Sequence, residues 1–292
     1  MAQHEINGIR IEVETRGPET APAFLLIRGL STQLIHWPDR FLDRFVDAGF
    51  RVVVFDNRDA GLSTKLDAAG VPAVDDILRG TARPAYSIAD MAWDAVGVLD
   101  ALGIERAHAA GISLGGMIAQ HLAFSHADRF RSVASVMSSS GAPGLPSGTP
   151  EALAALESEP DDPNDRESVI AHGIAAQRVI QSVDPPPTEA ELRSHFERGY
   201  DRCHHPAGSA RQMAAVLADT TRAERLAEVH VPFFVLHGAA DPLIPLACGE
   251  DTAARVPGAE LAVVPGMGHD ITNAHAPIIA DALIRFARSV PA

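Results

Sequence analysis

Short continuous apolar runs alternate along this chain with longer stretches in which apolar residues recur every three to four positions. The runs Ala23 to Ile27, Arg51 to Phe55, Ser132 to Met137, Phe233 to His237 and Leu261 to Val264 have the length of strands, and their lack of polar alternation marks strands buried on both faces. Between them lie helical periods. Trp37, Phe41, Leu42, Phe45 and Val46 share one stripe that stops at Gly49. Ile88, Met91, Ala92, Ala95, Val98, Leu99 and Leu102 share another, opened by the capping-box signature Ser87-Ile-Ala-Asp90 and closed by Gly103. Further helices are expected over Arg222 to Val229, around Cys248 to Val256, and from about Pro277 to Arg288. Ahead of all this, residues 3 to 14 read as a hairpin, with Asn7-Gly8 as a type I′ turn and Ile9, Ile11 and Val13 alternating with polar residues. Strand and helix in regular succession predict an α/β fold, a mostly parallel sheet covered by helices on both faces with the antiparallel hairpin at one edge.

The rhythm breaks between about Ser139 and Thr220. Prolines and acids cluster there (Pro150, Pro160, Asp161, Asp162, Pro163, then Pro185-Pro186-Pro187), and the periodic segments Ser168 to Ile180, Thr188 to Tyr200 and Ala207 to Ala218 are helical, with no strand pattern among them. Their apolar stripes need covering, so the segment is expected to be an all-helical insertion over the sheet and not a linker. The expected domains are a core of residues 1–138 and 221–292 and a helical cap of residues 139–220.

Composition narrows the partners. A hydrophobic content of 46% suffices for a packed core, and a formal net charge of -14 argues against nucleic acid and anionic membrane surfaces. The two cysteines, Cys203 and Cys248, are far apart and form no C-x-x-C pattern, which disfavours a disulfide framework or zinc ribbon and fits a reducing compartment. The first residues run straight into a strand pattern with no charged-then-apolar signal region, and no apolar run approaches a membrane span. A cytoplasmic protein, monomeric or a small homo-oligomer, is the expectation.

The chemistry centres on Ala107 to Phe124, AHAAGISLGGMIAQHLAF: a small-residue strand, a sharp turn at Gly111-Ile112-Ser113-Leu114-Gly115, then a helix. That is the G-x-S-x-G nucleophile elbow in the strand–turn–helix context it requires. The turn lifts the serine hydroxyl out of the sheet, and the helix N-terminus places amides and a partial positive charge beneath any negative charge developing there. A dinucleotide fingerprint would need glycine where Ser113 stands and an acid about twenty positions later, and a P-loop would need a lysine in the stretch; neither is present. Ligands of an open parallel sheet bind outside the carboxyl ends of its strands. The residues just past those ends are Gly29-Leu30, Asp56 to Ser63, Ser113, Met137 to Gly141, Asp241 and His269. They include a serine, an aspartate and a histidine in that order, and no carboxylate lies between Ser139 and Gly148 to offer an acid one strand earlier.

With RGL at 28–30, DNRDAGLS at 56–63, GISLGG at 111–116, HGAADPLIP at 237–245 and PGMGH at 265–269, the chain resembles α/β-hydrolases with a helical cap over nearly its whole length. Through GLSTQLIHWPDRF and RCHHPAGSARQ it further resembles bacterial serine carboxylesterases of the aclacinomycin-methylesterase-like kind. The resemblance implies Ser113 as nucleophile, His269 as the base that takes its proton, Asp241 as the acid that orients the imidazole, and backbone amides of Leu30 and Leu114 as the oxyanion hole. It implies no cofactor and no metal, and a small, largely apolar ester as substrate, with methyl or other short-alcohol esters favoured. A similar site could act on lactones, carbon–carbon bonds or peracids, and a binding protein without turnover is the reading from another class. Dehalogenase and epoxide hydrolase chemistry is disfavoured, because those relatives need a carboxylate where Ser113 stands.

Other residues carry blander readings. Gly29, His36, Trp37 and Met137 are candidate pocket residues, with helix-start packing the competing role for Trp37. Arg28 stands where the superfamily commonly has histidine and is expected to be a structural ion-pair partner, with tuning of the entrance as the competing role. Asp56, Arg58 and Ser63 are expected to brace their loop. Cys203-His204-His205 suggests a metal, but adjacent histidines point apart and no fourth ligand is in range. His121 and His126 are expected to serve packing and the helix end.

Overall fold

The computed structural model describes residues 1–291. Its strands are β1 (Ala2–Ile6), β2 (Ile9–Arg16), β3 (Ala23–Ile27), β4 (Arg51–Phe55), β5 (Ala107–Ile112), β6 (Phe130–Val136), β7 (Phe233–Gly238) and β8 (Glu260–Val264). They form one eight-stranded sheet in the order β1-β2-β4-β3-β5-β6-β7-β8. β1 and β2 pair antiparallel through the Asn7-Gly8 turn, where both residues have positive φ, and β2 pairs antiparallel with β4; the remaining neighbours are parallel. The chain therefore steps from β3 outward to β4 and then back past β3 to β5. That reversal opens a crevice at the carboxyl ends of β3 and β5, the place where an open sheet of this kind can hold a ligand.

The helices of the two layers are α1 (Asp39–Asp47), α2 (Val74–Leu78), α3 (Ile88–Ala101) and α4 (Leu114–Ser125), then, after an insertion, α9 (Arg222–Arg225), α10 (Leu246–Arg255) and α11 (Ala276–Ser289). The pleat of β3 distributes the core between them. Ala23, Leu25 and Ile27 point into one apolar cluster with residues of α3 and α4, whereas Phe24 and Leu26 point into a second with residues of α1 and α11. Ser87 caps α3 as expected, its Oγ accepting from the Asp90 amide while the Asp90 carboxylate accepts from the Ser87 amide. Three expectations need correction. Trp37 precedes α1 and is not on it; a short helix, α2, forms ahead of Ser87 where no helix is expected; and the segment Arg222 to Val229 breaks after one helical turn into a 3-10 helix, Leu226–Glu228.

Between β6 and β7 the chain makes four helices, α5 (Pro150–Glu157), α6 (Arg166–Ile180), α7 (Glu189–Arg202) and α8 (Pro206–Ala218), and no strand among the described residues. α5 was not foreseen; Thr149 caps it and Pro150 starts it. These helices have a small apolar cluster of their own, Ile170, Ile174 and Leu192 with Phe196 and Tyr200 packed against it. Their tie to the rest is largely polar. Arg211 on α8 is 1% exposed and donates through Nε and Nη2 to both carboxylate oxygens of the fully buried Asp59, with a further bond to Asp67. Removing one partner of a buried pair strands the other charge. Asp59→Ala is therefore expected to lower the unfolding free energy by ~3–5 kcal/mol; urea titration followed by circular dichroism checks it, and a loss of a few tenths would show that Asp67 and water suffice to hold Arg211. Among the described residues no helix is long and apolar enough to cross a membrane.

Candidate active site

β5 is built from small residues, Ala107-His-Ala-Ala-Gly-Ile112, every one buried, and this lets α4 lie close against the sheet with Leu114 to Ala123 buried as well. The closeness is extreme at the turn: a Cβ on Gly111 would overlap the Gly115 carbonyl, so neither a longer side chain nor a wider turn fits. Ser113 sits between them at φ 55° and ψ −121°, a conformation that costs a non-glycine residue on the order of 1–3 kcal/mol. Its amide is anchored to the Val136 carbonyl at 2.9 Å, so the strained turn is fixed to the neighbouring strand. Ser113 itself is partly exposed, whereas its neighbours Ile112 and Leu114 are buried.

The structure brings Ser113, His269 and Asp241 together from the ends of three different strands. Ser113 Oγ lies 3.0 Å from His269 Nε2, and His269 Nδ1 lies 2.8 Å from Asp241 Oδ2. The other oxygen of Asp241 accepts the amides of Leu243 and Ile244, both at 2.9 Å, so the carboxylate is held on both sides. His237 lies 3.8 Å from the same carboxylate; burial pushes its ring below the usual histidine range, outweighing the opposite pull of the Ile244 carbonyl that its Nε2 hydrogen-bonds.

Gly29 passes directly over the serine: a Cβ there would lie 3.1 Å from Ser113 Cβ. Among the described residues the amides of Leu30 and Leu114 donate to no protein acceptor. The loop that carries Leu30 is fixed by residues far away in sequence, which no local pattern could reveal. The Ser31 amide donates to Gln212 Oε1 at 3.0 Å, and Gln33 Nε2 donates to the carbonyls of Gly199 and Cys203 at 2.7 and 2.9 Å. Arg202 donates to both Gln33 and Asp56, while Asp56 also accepts the amides of Leu34 and Leu62. Asp56 and Ser63 thus brace the loop, and Arg58 pairs with Asp94 at 2.6 Å.

Several expectations are corrected here. Trp37 is 3% exposed, stacked on Phe41 at 5.0 Å and covered by the Arg28 guanidinium at 4.8 Å, so it has no face left for a substrate. His36 stacks on His195 of α7 at 4.1 Å and accepts the Gln33 amide, which makes it part of the contact with the inserted helices. Met137 is buried in the second core cluster. Arg28 has no carboxylate within ion-pair distance among the described residues; its Nε donates to Thr32, it stacks on Trp37, and burial lowers its pKa to about 9. His204 stacks on Tyr200 while His205 faces Asp67 and Arg211, and His121 pairs with Asp219 at 3.0 Å. Cys203 and Cys248 are both free.

Comparison with known proteins agrees with this architecture. The family described as alpha/beta hydrolase fold matches residues 22–272. The chain is 28% identical to rhodomycin D methylesterase of Streptomyces peucetius, over 90% of each chain, and 27% identical to a putative carbamate hydrolase of Caulobacter segnis, over 98% of each. Among solved structures it superposes on the enol-lactonase from Burkholderia xenovorans with a TM-score of 0.75 at 21% identity, covering 98% of this chain and 100% of that one.

Proposed function

The chain belongs to the alpha/beta hydrolase fold family, and we propose that it is a cofactor-independent serine hydrolase that cleaves carboxylic esters through an acyl-enzyme on Ser113. The observation that carries this reading is the hydrogen-bond relay from Ser113 Oγ through His269 to Asp241, at 3.0 and 2.8 Å. Ser113 Oγ attacks the ester carbonyl carbon as its proton passes to His269 Nε2. The carbonyl oxygen becomes an oxyanion that the Leu30 and Leu114 amides receive, beside the N-terminus of α4. Collapse of the tetrahedral intermediate expels the alcohol, which leaves with the proton from Nε2. Water then repeats the sequence on the acyl-enzyme, giving its proton to Nε2, and the acid departs as Ser113 recovers the hydrogen. Asp241 keeps the Nδ1 proton in place throughout and offsets the imidazolium charge without being protonated itself.

Residues 139–220 serve as the cap of this site, and the side chains that select the acyl group belong to it and to the loop at Gly29-Leu30. Methyl or other short-alcohol esters of apolar acids are the proposed substrates; the likeness to a methylesterase over 90% of the chain supports a small leaving alcohol. The likeness to a putative carbamate hydrolase keeps a carbamate as the second reading, since the same attack and the same oxyanion would serve it.

Pre-steady-state hydrolysis of p-nitrophenyl esters of graded acyl length tests the mechanism. A burst of p-nitrophenol stoichiometric with enzyme is expected when deacylation is slower than acylation, and a fluorophosphonate probe should label Ser113 alone, as located by peptide mass mapping. Labelling elsewhere, or no labelling of folded enzyme, would remove the acyl-enzyme reading.

A further inference from the structure

We propose that the end of α6 at Ile180 and the segment that follows it, to Asp184, position His269, with Ser182 and Asp270 as the positioning pair; this rests on reading His269 as the general base. β8 is the edge strand of the sheet and is largely exposed, so the loop that follows it has a sheet neighbour on one side only. The sheet side holds the loop as far as Met267, whose carbonyl accepts the Ala240 amide at 3.0 Å. Beyond that point the polar groups turn to α6. The His269 amide donates to the Ile180 carbonyl at 2.7 Å, and the Gly268 amide donates to Ser182 Oγ at 3.0 Å. Ser182 in turn donates through its amide, at 3.2 Å, and through its hydroxyl to Asp270 Oδ1. One residue further, the Val183 amide donates to the Gly266 carbonyl at 2.9 Å.

Packing at the crossing explains a glycine that the catalytic turn itself does not require. A Cβ on Gly268 would overlap the Gln181 carbonyl group, because the two backbones cross in direct contact. The glycine before the histidine in PGMGH is therefore there for the cap. Ser182 is fully buried at this crossing, so its hydroxyl has no water to exchange with and its two bonds fix the residues on either side of His269. The inserted helices do more than filter substrate: displacing the end of α6 removes the partners of the His269 amide and of both its neighbours, and the imidazole loses its alignment on Ser113. A shift of about 1 Å at such a group can cost ~10²-fold in rate.

The test is a double-variant cycle on the full-length enzyme, Ser182→Ala, Asp270→Ala and both together, read by steady-state ester hydrolysis and by the downfield proton resonance of the His269–Asp241 hydrogen bond. Expected for each single variant is a kcat lower by ~10–100-fold with KM within about twofold of wild type, a broadened or lost resonance, and a double variant no worse than the worse single one. Full additivity would overturn the pairing, and wild-type kcat with an unchanged resonance would overturn the positioning role. Should Ser182→Ala fail to fold, Ser182→Cys keeps the volume, weakens both bonds and is read in the same way. If ester turnover in the wild type proves independent of Ser113, the functional reading fails, and the resonance still decides whether α6 holds His269.

Discussion

Ser113→Ala is expected to fold as the wild type does and to lose ~10⁴–10⁶-fold in kcat on every ester the wild type hydrolyses. The size follows from what the hydroxyl does. Without it no acyl-enzyme forms, and what remains is the catalysis that amides at Leu30 and Leu114, together with binding, can give to direct attack by water, about 10³–10⁴-fold over solution. The fold should be indifferent because the side chain makes a single hydrogen bond, to His269, and alanine meets the same φ of 55° that serine already tolerates. A bond of that kind contributes about 1 kcal/mol, which the melting temperature would register as a shift of a few degrees at most. The decisive measurement is kcat on the best p-nitrophenyl ester, with circular dichroism on the same sample. Activity within tenfold of wild type from a folded variant would end the nucleophile assignment.

Much of the architecture was legible because local chemistry dictates it. Apolar runs as in β3, β4 and β7 leave no polar face for water, and small residues in β5 leave room for α4, so a sheet covered on both faces follows from the sequence. The chemistry-bearing residues were legible for a related reason: Ser113, Asp241 and His269 each follow a recognisable strand, and parallel strands bring their carboxyl ends to one edge. What was not legible depends on which way a side chain turns once the layers pack. His36 and Trp37 are candidates for the pocket, with packing the competing role for Trp37; in the fold Trp37 lies under Arg28 and His36 against His195. Arg28 was expected to find a carboxylate and instead stacks on an indole, a choice that only the tertiary arrangement makes. α5, PEALAALE, is only eight residues long and opens on a proline, so it carries little periodic signal.

The polar contacts of the inserted helices were the least legible feature and matter most for the site. Gln33, Gln212, Arg202 and Arg211 are ordinary residues in sequence. In space Gln212 and Arg202 fix the loop bearing Leu30 through Ser31 and Gln33, and Arg211 holds the loop at Asp59, while Ile180 and Ser182 fix the loop bearing His269. A partner more than eighty residues away leaves no trace in a local pattern, whereas a nucleophile elbow is written in five consecutive residues.

Asp241→Asn is expected to lower kcat by ~10⁴-fold while changing neither fold nor substrate affinity much, and the arrangement around the carboxylate explains why a change of one atom should do so. Oδ1 accepts two backbone amides, from Leu243 and Ile244 at 2.9 Å, and only an oxygen can satisfy them. An asparagine is thus forced to place its carbonyl there and its amide nitrogen toward His269 Nδ1, now 2.8 Å from a donor in place of an acceptor. The ring must answer by accepting at Nδ1, which moves its proton to Nε2, facing Ser113 Oγ at 3.0 Å. With the proton already on Nε2, the nitrogen facing the nucleophile has no free lone pair to accept the Ser113 proton. Rotating the amide to rescue the tautomer would set a donor against two amide donors in a buried site, at about 1–3 kcal/mol for each group left unsatisfied. Single-turnover hydrolysis with saturating ester separates this from a binding defect: acylation should slow by the full factor at unchanged half-saturation. Retention of more than about a tenth of the wild-type acylation rate would show that Asp241 does not set the tautomer, and the role of the acid would have to be sought elsewhere.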